Sequence, residues 1–339
     1  MMKRVMIVAV LLAVMLPFAA QDKASKWTIE AEAWWAQPKG FDTVYAYTYS
    51  YAPGNGSYFN FDSKPNAVNN ERRWSPALKV AYSNGPWTTW LSYVNYDESS
   101  TSTAFAPSTA MFLVNALPIS YSPFTGFDSF AYSDWAKADL STQYTSWDFN
   151  IGHNFNPSEK WTMNFYGGLR YMSIDAQLDA LYVDNSDWNF WGAGSQDSVR
   201  IHSQTHAWGL NSGFISDYKF SKRIGFGAGL EVSMLSARQD NEQREYINST
   251  IYSPYYGPFG VFHVARGESK VIPAVKLYTE AKFNFSDSWY GKVGYRYQTI
   301  KDAMSFSYAA NDYRRGTGIV PIKKDFSLEG FYFTVGFKF

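Results

Sequence analysis

From residue 27 onward, apolar and polar positions alternate with a period of two. This spacing puts successive side chains on opposite faces of a β-strand. Residues 27–36 set Trp27, Ile29, Ala31, Ala33 and Trp35 against Glu30 and Glu32. Residues 143–153 set Trp147, Phe149 and Ile151 against Asp148, Asn150 and Gly152, and residues 224–234 set Phe226, Leu230 and Val232 against Gly225, Gly227, Gly229 and Glu231. The pattern recurs, with varying regularity, in 74–82, 87–96, 161–173, 206–216, 269–283, 289–299 and 329–339. This predicts ten strands, with eight to twelve allowed because Tyr45–Tyr51 and Ser57–Phe61 flank the turn sequence Pro53-Gly54-Asn55-Gly56.

The connections alternate in length. Residues 83–86, 154–160, 217–223 and 284–288 are short, while 37–73, 97–142, 174–205, 235–268 and 300–328 are long. Short turns at one end and long loops at the other mark a barrel threaded through a bilayer, and an even strand number returns both termini to the periplasmic side. Trp27, Trp74, Trp87, Trp161 and Trp289 each open a strand, where amphipathic rings suit a membrane interface.

The N-terminus changes the compartment. Lys3 and Arg4 precede an apolar stretch from Val5 to Phe18, followed by Ala19, Ala20 and a polar run. This pattern predicts a secretory signal peptide over 1–20, cleaved after Ala20, with the barrel over 21–339. No later stretch reaches 18 apolar residues, so no spanning helix is expected. With helices removed, what remains is a closed barrel, which satisfies every N–H and C=O inside a bilayer, or a soluble periplasmic protein, and the segregated loop lengths favour the barrel. The expected fold is therefore all-β: a transmembrane antiparallel up-and-down β-barrel with short periplasmic turns and long extracellular loops, in the bacterial outer membrane.

Composition narrows the chemistry. The chain has 30 basic and 30 acidic residues; without 1–20 it keeps 28 against 30, so no nucleic acid partner is implied. It has no cysteine, which excludes disulfides, thiolate metal sites and cysteine nucleophiles. Aromatic residues make up 19% of the chain, yet mean hydropathy is negative, a combination suited to strands with one greasy and one wet face. The last strand carries Phe331, Phe333, Val335, Phe337 and Phe339 on one face. This resembles the terminal signal read by the outer-membrane assembly machinery, an expected partner together with outer-membrane lipid and lipopolysaccharide.

Four stretches resemble the Legionella-type major outer-membrane protein family. They are Glu30-Ala-Glu-Ala-Trp-Trp35, Trp147-Asp-Phe-Asn-Ile-Gly152, Gly167-Gly-Leu-Arg-Tyr171 and Gly225-Phe-Gly-Ala-Gly229. The resemblance implies a pore-forming barrel that passes small solutes or ions, with no cofactor and no catalytic residues. The alternation assigns to the lumen Glu30, Glu32, Lys79, Asp148, Arg170, Glu231, Lys276, Glu280, Lys282, Lys292 and Arg296, and Glu329 is counted with them on its charge. These are the candidate pore-lining residues. Gly225, Gly227 and Gly229 would leave one wall bare, with room for a passage or for a long side chain crossing from the opposite wall.

Two other readings stand beside the pore. Ten strands enclose a narrow interior, so paired charges could plug it and leave a barrel that binds ligands or surfaces through Tyr-rich loops such as Tyr45-Ala-Tyr-Thr-Tyr-Ser-Tyr51. A rim protease would draw on His202, His206, His263, Asp179, Asp184 and Asp197. A metal site is not expected: His202 and His206 are about 13 Å apart along a strand at about 3.3 Å per residue.

Overall fold

Strand forms in each of the ten expected segments, and most strands continue well past the expected ends. The computed structural model describes residues 25–40, 43–52, 60–106, 111–115, 132–184, 195–248, 261–310 and 318–339. The strands are β1 (Ser25–Lys39), β2 (Thr43–Ala52), β3 (Asn60–Val68), β4 (Arg73–Asn84), β5 (Trp87–Phe105), β6 (Met111–Asn115), β7 (Tyr132–Ser133), β8 (Trp135–Ser158), β9 (Trp161–Asp184), β10 (Ser195–Lys219), β11 (Ile224–Asn248), β12 (Val261–Asn284), β13 (Trp289–Ala310) and β14 (Gly318–Lys338). Ten of them close into a ring in the order β1-β14-β13-β12-β11-β10-β9-β8-β5-β4, and β3-β2-β6-β7 form a separate sheet. The ring is sealed where β1 meets β14, with Trp27 and Phe339 exchanging backbone hydrogen bonds of 2.9 and 3.0 Å. The two-residue link after Asn84 turns on Gly85 at φ 57°, a left-handed conformation that glycine adopts without strain. The proposed signal segment and the turn 53–56 lie outside the described residues.

At the end of the ring that carries the short turns, the outward face is apolar. Phe165, Leu169, Leu210, Phe226, Val232, Phe331, Phe333 and Val335 are exposed there. On β9 this belt runs from Trp161 to Tyr171. Ten steps at about 3.3 Å, tilted by roughly 40°, give about 25 Å, the height of an outer-membrane apolar band.

Beyond the belt the alternation keeps its parity and exchanges its chemistry. Outward positions on β9 become Ser173, Asp175, Gln177 and Asp179, while the inward ones become Met172, Ile174, Ala176, Leu178, Ala180 and Tyr182, all buried. The same exchange occurs on β11, where Met234 is the last outward apolar residue before Arg238, Asp240 and Glu242, and inward Leu235 and Ala237 are buried. Much of the sequence expected as long loops is therefore barrel wall standing in water. Strands of 24 or 25 residues reach roughly 60 Å along the axis, more than twice the band.

The upper wall is split in two. Pairing of β12 with β13 stops at Ala274↔Ile300, and pairing of β4 with β5 stops at Ala77↔Val94. Strands β5 and β8–β12 then form one wall and β13, β14, β1 and β4 the other, with buried apolar side chains between them. Tyr144 of the first wall stacks on Phe326 of the second at 5.7 Å. A bulge in β13 places Asp302 at φ 49°, and the carbonyls of Asp302 and Ala303 accept from Gln239 (2.7 Å) and Thr205 (2.6 Å) across the interior.

The other seam is tied by residues 70–72. The Asn70 side chain accepts from Thr142 (2.9 Å), its carbonyl accepts from Gln37 (3.1 Å), and Tyr96 donates to the Glu71 carbonyl (3.0 Å). Glu98 is 2% exposed; one carboxylate oxygen accepts from the Glu71 N–H at 3.4 Å and the other has no partner. Burial pushes the Glu98 carboxyl above the usual glutamate value, offset in part by that N–H. Protonated Glu98 is buried without penalty, and ionised Glu98 is not. Stability is thus full below the ordinary glutamate range and falls as pH climbs through it toward the raised folded value. Glu98→Gln keeps a carbonyl for Glu71 and removes the charge. It is expected to raise the unfolding temperature at pH 8 by about 2 °C or more, with the difference vanishing below pH ~4, as read by circular dichroism melts in detergent.

Candidate functional site

Inward positions of the membrane-level strands converge on the lumen, and the eleven candidate side chains all take the inward parity of their strands. Glu329 does not. It lies on the outward parity of β14, above the apolar belt, paired with Lys39 of β1. The reason is the chemical exchange described above: beyond the belt, polar residues belong outside.

The lumen charges are paired in two clusters, of which the first crosses the barrel from β12 to β8. Arg170 of β9 donates twice to Asp148 of β8 (2.6 and 2.9 Å), donates to Ser233 of β11 (3.0 Å) and pairs with Glu231 of β11. Lys276 of β12 reaches across to Glu231 (3.0 Å) and Asp148 (3.4 Å). A second cluster joins Lys292 of β13 to Glu30 of β1 (3.0 Å) and Glu280 of β12 (3.2 Å). Beside it Arg296 holds Glu32 through two bonds of 2.7 and 2.8 Å, its guanidinium 5.0 Å from the Trp34 ring and 4.7 Å from that of Tyr332. Charge-assisted, bidentate geometry of this kind offsets the cost of taking the ions out of water. Among the described residues Lys79 makes no ion pair, and it sits 5.0 Å from the Trp90 ring.

Tyrosines complete the packing, and the sequence reading missed them. Tyr278 lies over Gly229, Tyr166 over Gly213, Tyr332 over Gly294 and Tyr290 over Gly336, each glycine being the tyrosine's cross-strand partner. A Cβ at any of these glycines would fall inside the ring or against the hydroxyl. Three of these hydroxyls donate to the paired carboxylates: Tyr166 to Glu231 (2.9 Å), Tyr290 to Glu30 (2.5 Å) and Tyr332 to Glu280 (2.7 Å). The expected bare wall is thus covered in part from the neighbouring strand rather than from across the barrel: Gly229 holds Tyr278, and Gly227 faces Asp217 and Glu280. Inward Tyr–Gly pairing across adjacent strands was legible in principle, but only once register was known.

A cavity of about 110 Å³ remains among these groups, lined by Glu30, Glu32, Lys79, Trp90, Arg296 and Thr334 among others, with room for a few waters. Above it the apolar core occupies the interior, entered through the bond from Gln298 to the Tyr144 hydroxyl (2.6 Å).

The rim residues do not converge. His202 meets Asp175 (3.0 Å), His206 meets Tyr171 (3.3 Å) and His263 meets Glu242 (2.7 Å), all on the outward face. Asp179 faces outward to Arg200, while Asp197 points inward, its carboxyl pushed up by burial and by Glu245. The Asp184 side chain lies outside the described residues. No group of three or more metal-ligating residues occurs among the described residues. The outward wall does carry a groove of about 560 Å³, lined by Lys137, Asp139, Asp179, Arg200, Arg244 and Tyr246 together with backbone between them.

A family model described as Legionella pneumophila major outer membrane protein precursor matches residues 20–339. No curated protein matches the sequence. Among solved structures, the outer membrane protease OmpT from Escherichia coli aligns with 9% identity over 94% of this chain and 97% of that one, at a TM-score of 0.46. The Pseudomonas putida toluene transporter TodX aligns with 5% identity over 94% and 90%, at 0.28. A major outer membrane protein from Thermus thermophilus aligns with 10% identity over 93% and 100%, at 0.28.

Removing one partner from a buried charge cluster costs about 3–5 kcal/mol. Arg170→Leu leaves Asp148 and Glu231 to share Lys276 alone and is expected to lower stability by about that much in urea titration of the detergent-solubilised barrel. Gly336→Val, which drives a side chain into Tyr290, is expected to abolish the folded, heat-modifiable band on a gel.

Proposed function

This chain belongs to the family of the Legionella pneumophila major outer membrane protein precursor and is a β-barrel of the bacterial outer membrane; from that premise, we propose that it is a closed-lumen barrel acting as a binding or adhesion protein through its extracellular half. One observation carries the reading. At bilayer level Lys276 of β12 meets Asp148 of β8 across the lumen, the other ion pairs and the tyrosines fill the space along its wall, and a buried apolar core fills the barrel directly above them. A solute would have to displace at least the Lys276–Asp148 contact and the apolar core above it. Ten strands support the same reading, since interiors near this size are filled by side chains and aqueous channels belong to much wider barrels.

The extracellular half offers what a binding protein needs. It stands clear of the membrane, its outer face is polar, and its groove lies in the volume range of ligand sites. Ion pairs between Lys137 and Asp139 and between Arg200 and Asp179 edge this groove.

The pore expected from the family resemblance keeps one supporting observation, the polar cavity of about 110 Å³ between the ion pairs. Planar-bilayer recording separates the two readings. The closed-lumen barrel should give no discrete conductance, and Arg296→Gly combined with Tyr332→Gly should create steps. Stable unitary conductance from the wild-type protein would overturn the proposal in favour of a narrow channel.

A further inference from the structure

The lumen charges balance at bilayer centre and fail to balance at the periplasmic mouth. Lys26, Lys219, Lys282 and Lys338 all take inward positions at the ends of β1, β10, β12 and β14. None of the four has an ion pair among the described residues, and the carboxylates at the middle of the lumen are already engaged by Lys292, Arg296, Arg170 and Lys276. Asp217 is the carboxylate on the same inward row of β10.

The arrangement concentrates these cations. In the strand register Lys219 stands opposite Gly225, Gly225 opposite Lys282, and Lys282 opposite Lys292. Like charges directly opposed on neighbouring strands repel. The ammonium groups of Lys282, Lys292 and Lys338 lie 4.5, 5.8 and 5.1 Å from the centre of the single Tyr290 ring. Lys26, Lys219 and Lys292 are the cationic neighbours of Lys338. Gly225 leaves the space between Lys219 and Lys282 without a side chain.

Four lysines share the inner wall at the membrane edge with Asp217, an excess of positive charge. The Tyr290 ring gathers the ammoniums of Lys282 and Lys338 by cation–π attraction, and each keeps N–H donors that no ion pair among the described residues occupies. A tetrahedral oxyanion, with several acceptor oxygens and more than one negative charge, would neutralise groups that a monovalent ion leaves repelling. We infer that the periplasmic mouth of the barrel binds a phosphate group, engaged chiefly by Lys282 and Lys338 with Lys26 and Lys219 at the entrance. The inference goes beyond the closed-lumen reading and does not depend on it, because the mouth opens to the periplasm whether or not the lumen conducts.

The test is calorimetric titration of the full detergent-solubilised barrel with inorganic phosphate, against sodium chloride at equal ionic strength. Saturable 1:1 binding of phosphate over chloride is expected. Lys282→Gln combined with Lys338→Gln should weaken it about tenfold or more, Lys282→Arg with Lys338→Arg should restore it, and Lys301→Gln on the outer wall should leave it unchanged. Heat-modifiable gel mobility reports whether each variant is folded. Repeating the titration in phosphatidylglycerol and in phosphatidylcholine vesicles separates two sources of the phosphate. Loss of binding only with phosphatidylglycerol identifies a lipid headgroup, and retention in both identifies a free phosphate. A response to chloride equal to that for phosphate, or a double Gln variant that binds like wild type, overturns the inference.

Discussion

The backbone hydrogen-bond ring is the constraint on which every other feature depends. Inside hydrocarbon an unpaired N–H or C=O has no water to turn to, so the first strand must find the last. The Trp27–Phe339 exchange completes that circuit. Below the level where β4 leaves β5 and β12 leaves β13, each strand has two neighbours; above it the ring opens into two walls. The opening begins at the upper part of the belt, where Trp74 of β4 and Val271 of β12 are still exposed beyond the last pairs, and continues into the region where the outer face is polar and water can satisfy an edge.

A ring of ten strands leaves little interior, and the side chains divide that space by environment. At bilayer level the outer face is given to lipid, so the polar residues of the alternation turn inward and must satisfy one another. They do so through bidentate arginines, bridging lysines and tyrosine hydroxyls, with the rings laid flat on the glycines of adjacent strands. Above the band the outer face is given to water, and the apolar residues take the interior. One barrel thus contains two opposite cores stacked end to end, an ionic one in the membrane and an oily one outside it. Breaking the first strands charges, and breaking the second exposes apolar surface. Both resist an open passage.

Outward apolar residues mark the strands only inside the bilayer; near Tyr171 and Met234 the alternation exchanges its chemistry without losing its period. Met172-Ser-Ile174-Asp-Ala176-Gln-Leu178-Asp-Ala180 alternates as regularly as the membrane segment and could have extended β9, had water rather than lipid been considered outside. Glu329 was assigned to the lumen for the same reason. The glycine run Gly225–Gly229 was recognised as an absence of side chains, but what fills an absence depends on the neighbouring strand.

The linear order of residues was enough to establish the ten strands, their alternate short and long connections, the inward parity of the charged set and membership in an outer-membrane barrel family. Each of these follows from periodicity, which a single strand carries by itself. Which acid meets which base, which tyrosine covers which glycine, where the ring splits and whether the lumen is filled all depend on the stagger between strands distant in sequence. Pairings such as Arg296–Glu32 and Gln298–Tyr144 join residues 264 and 154 positions apart. Only closure of the ring brings such residues together, because a strand's own pattern says which way a side chain points and nothing about what stands opposite.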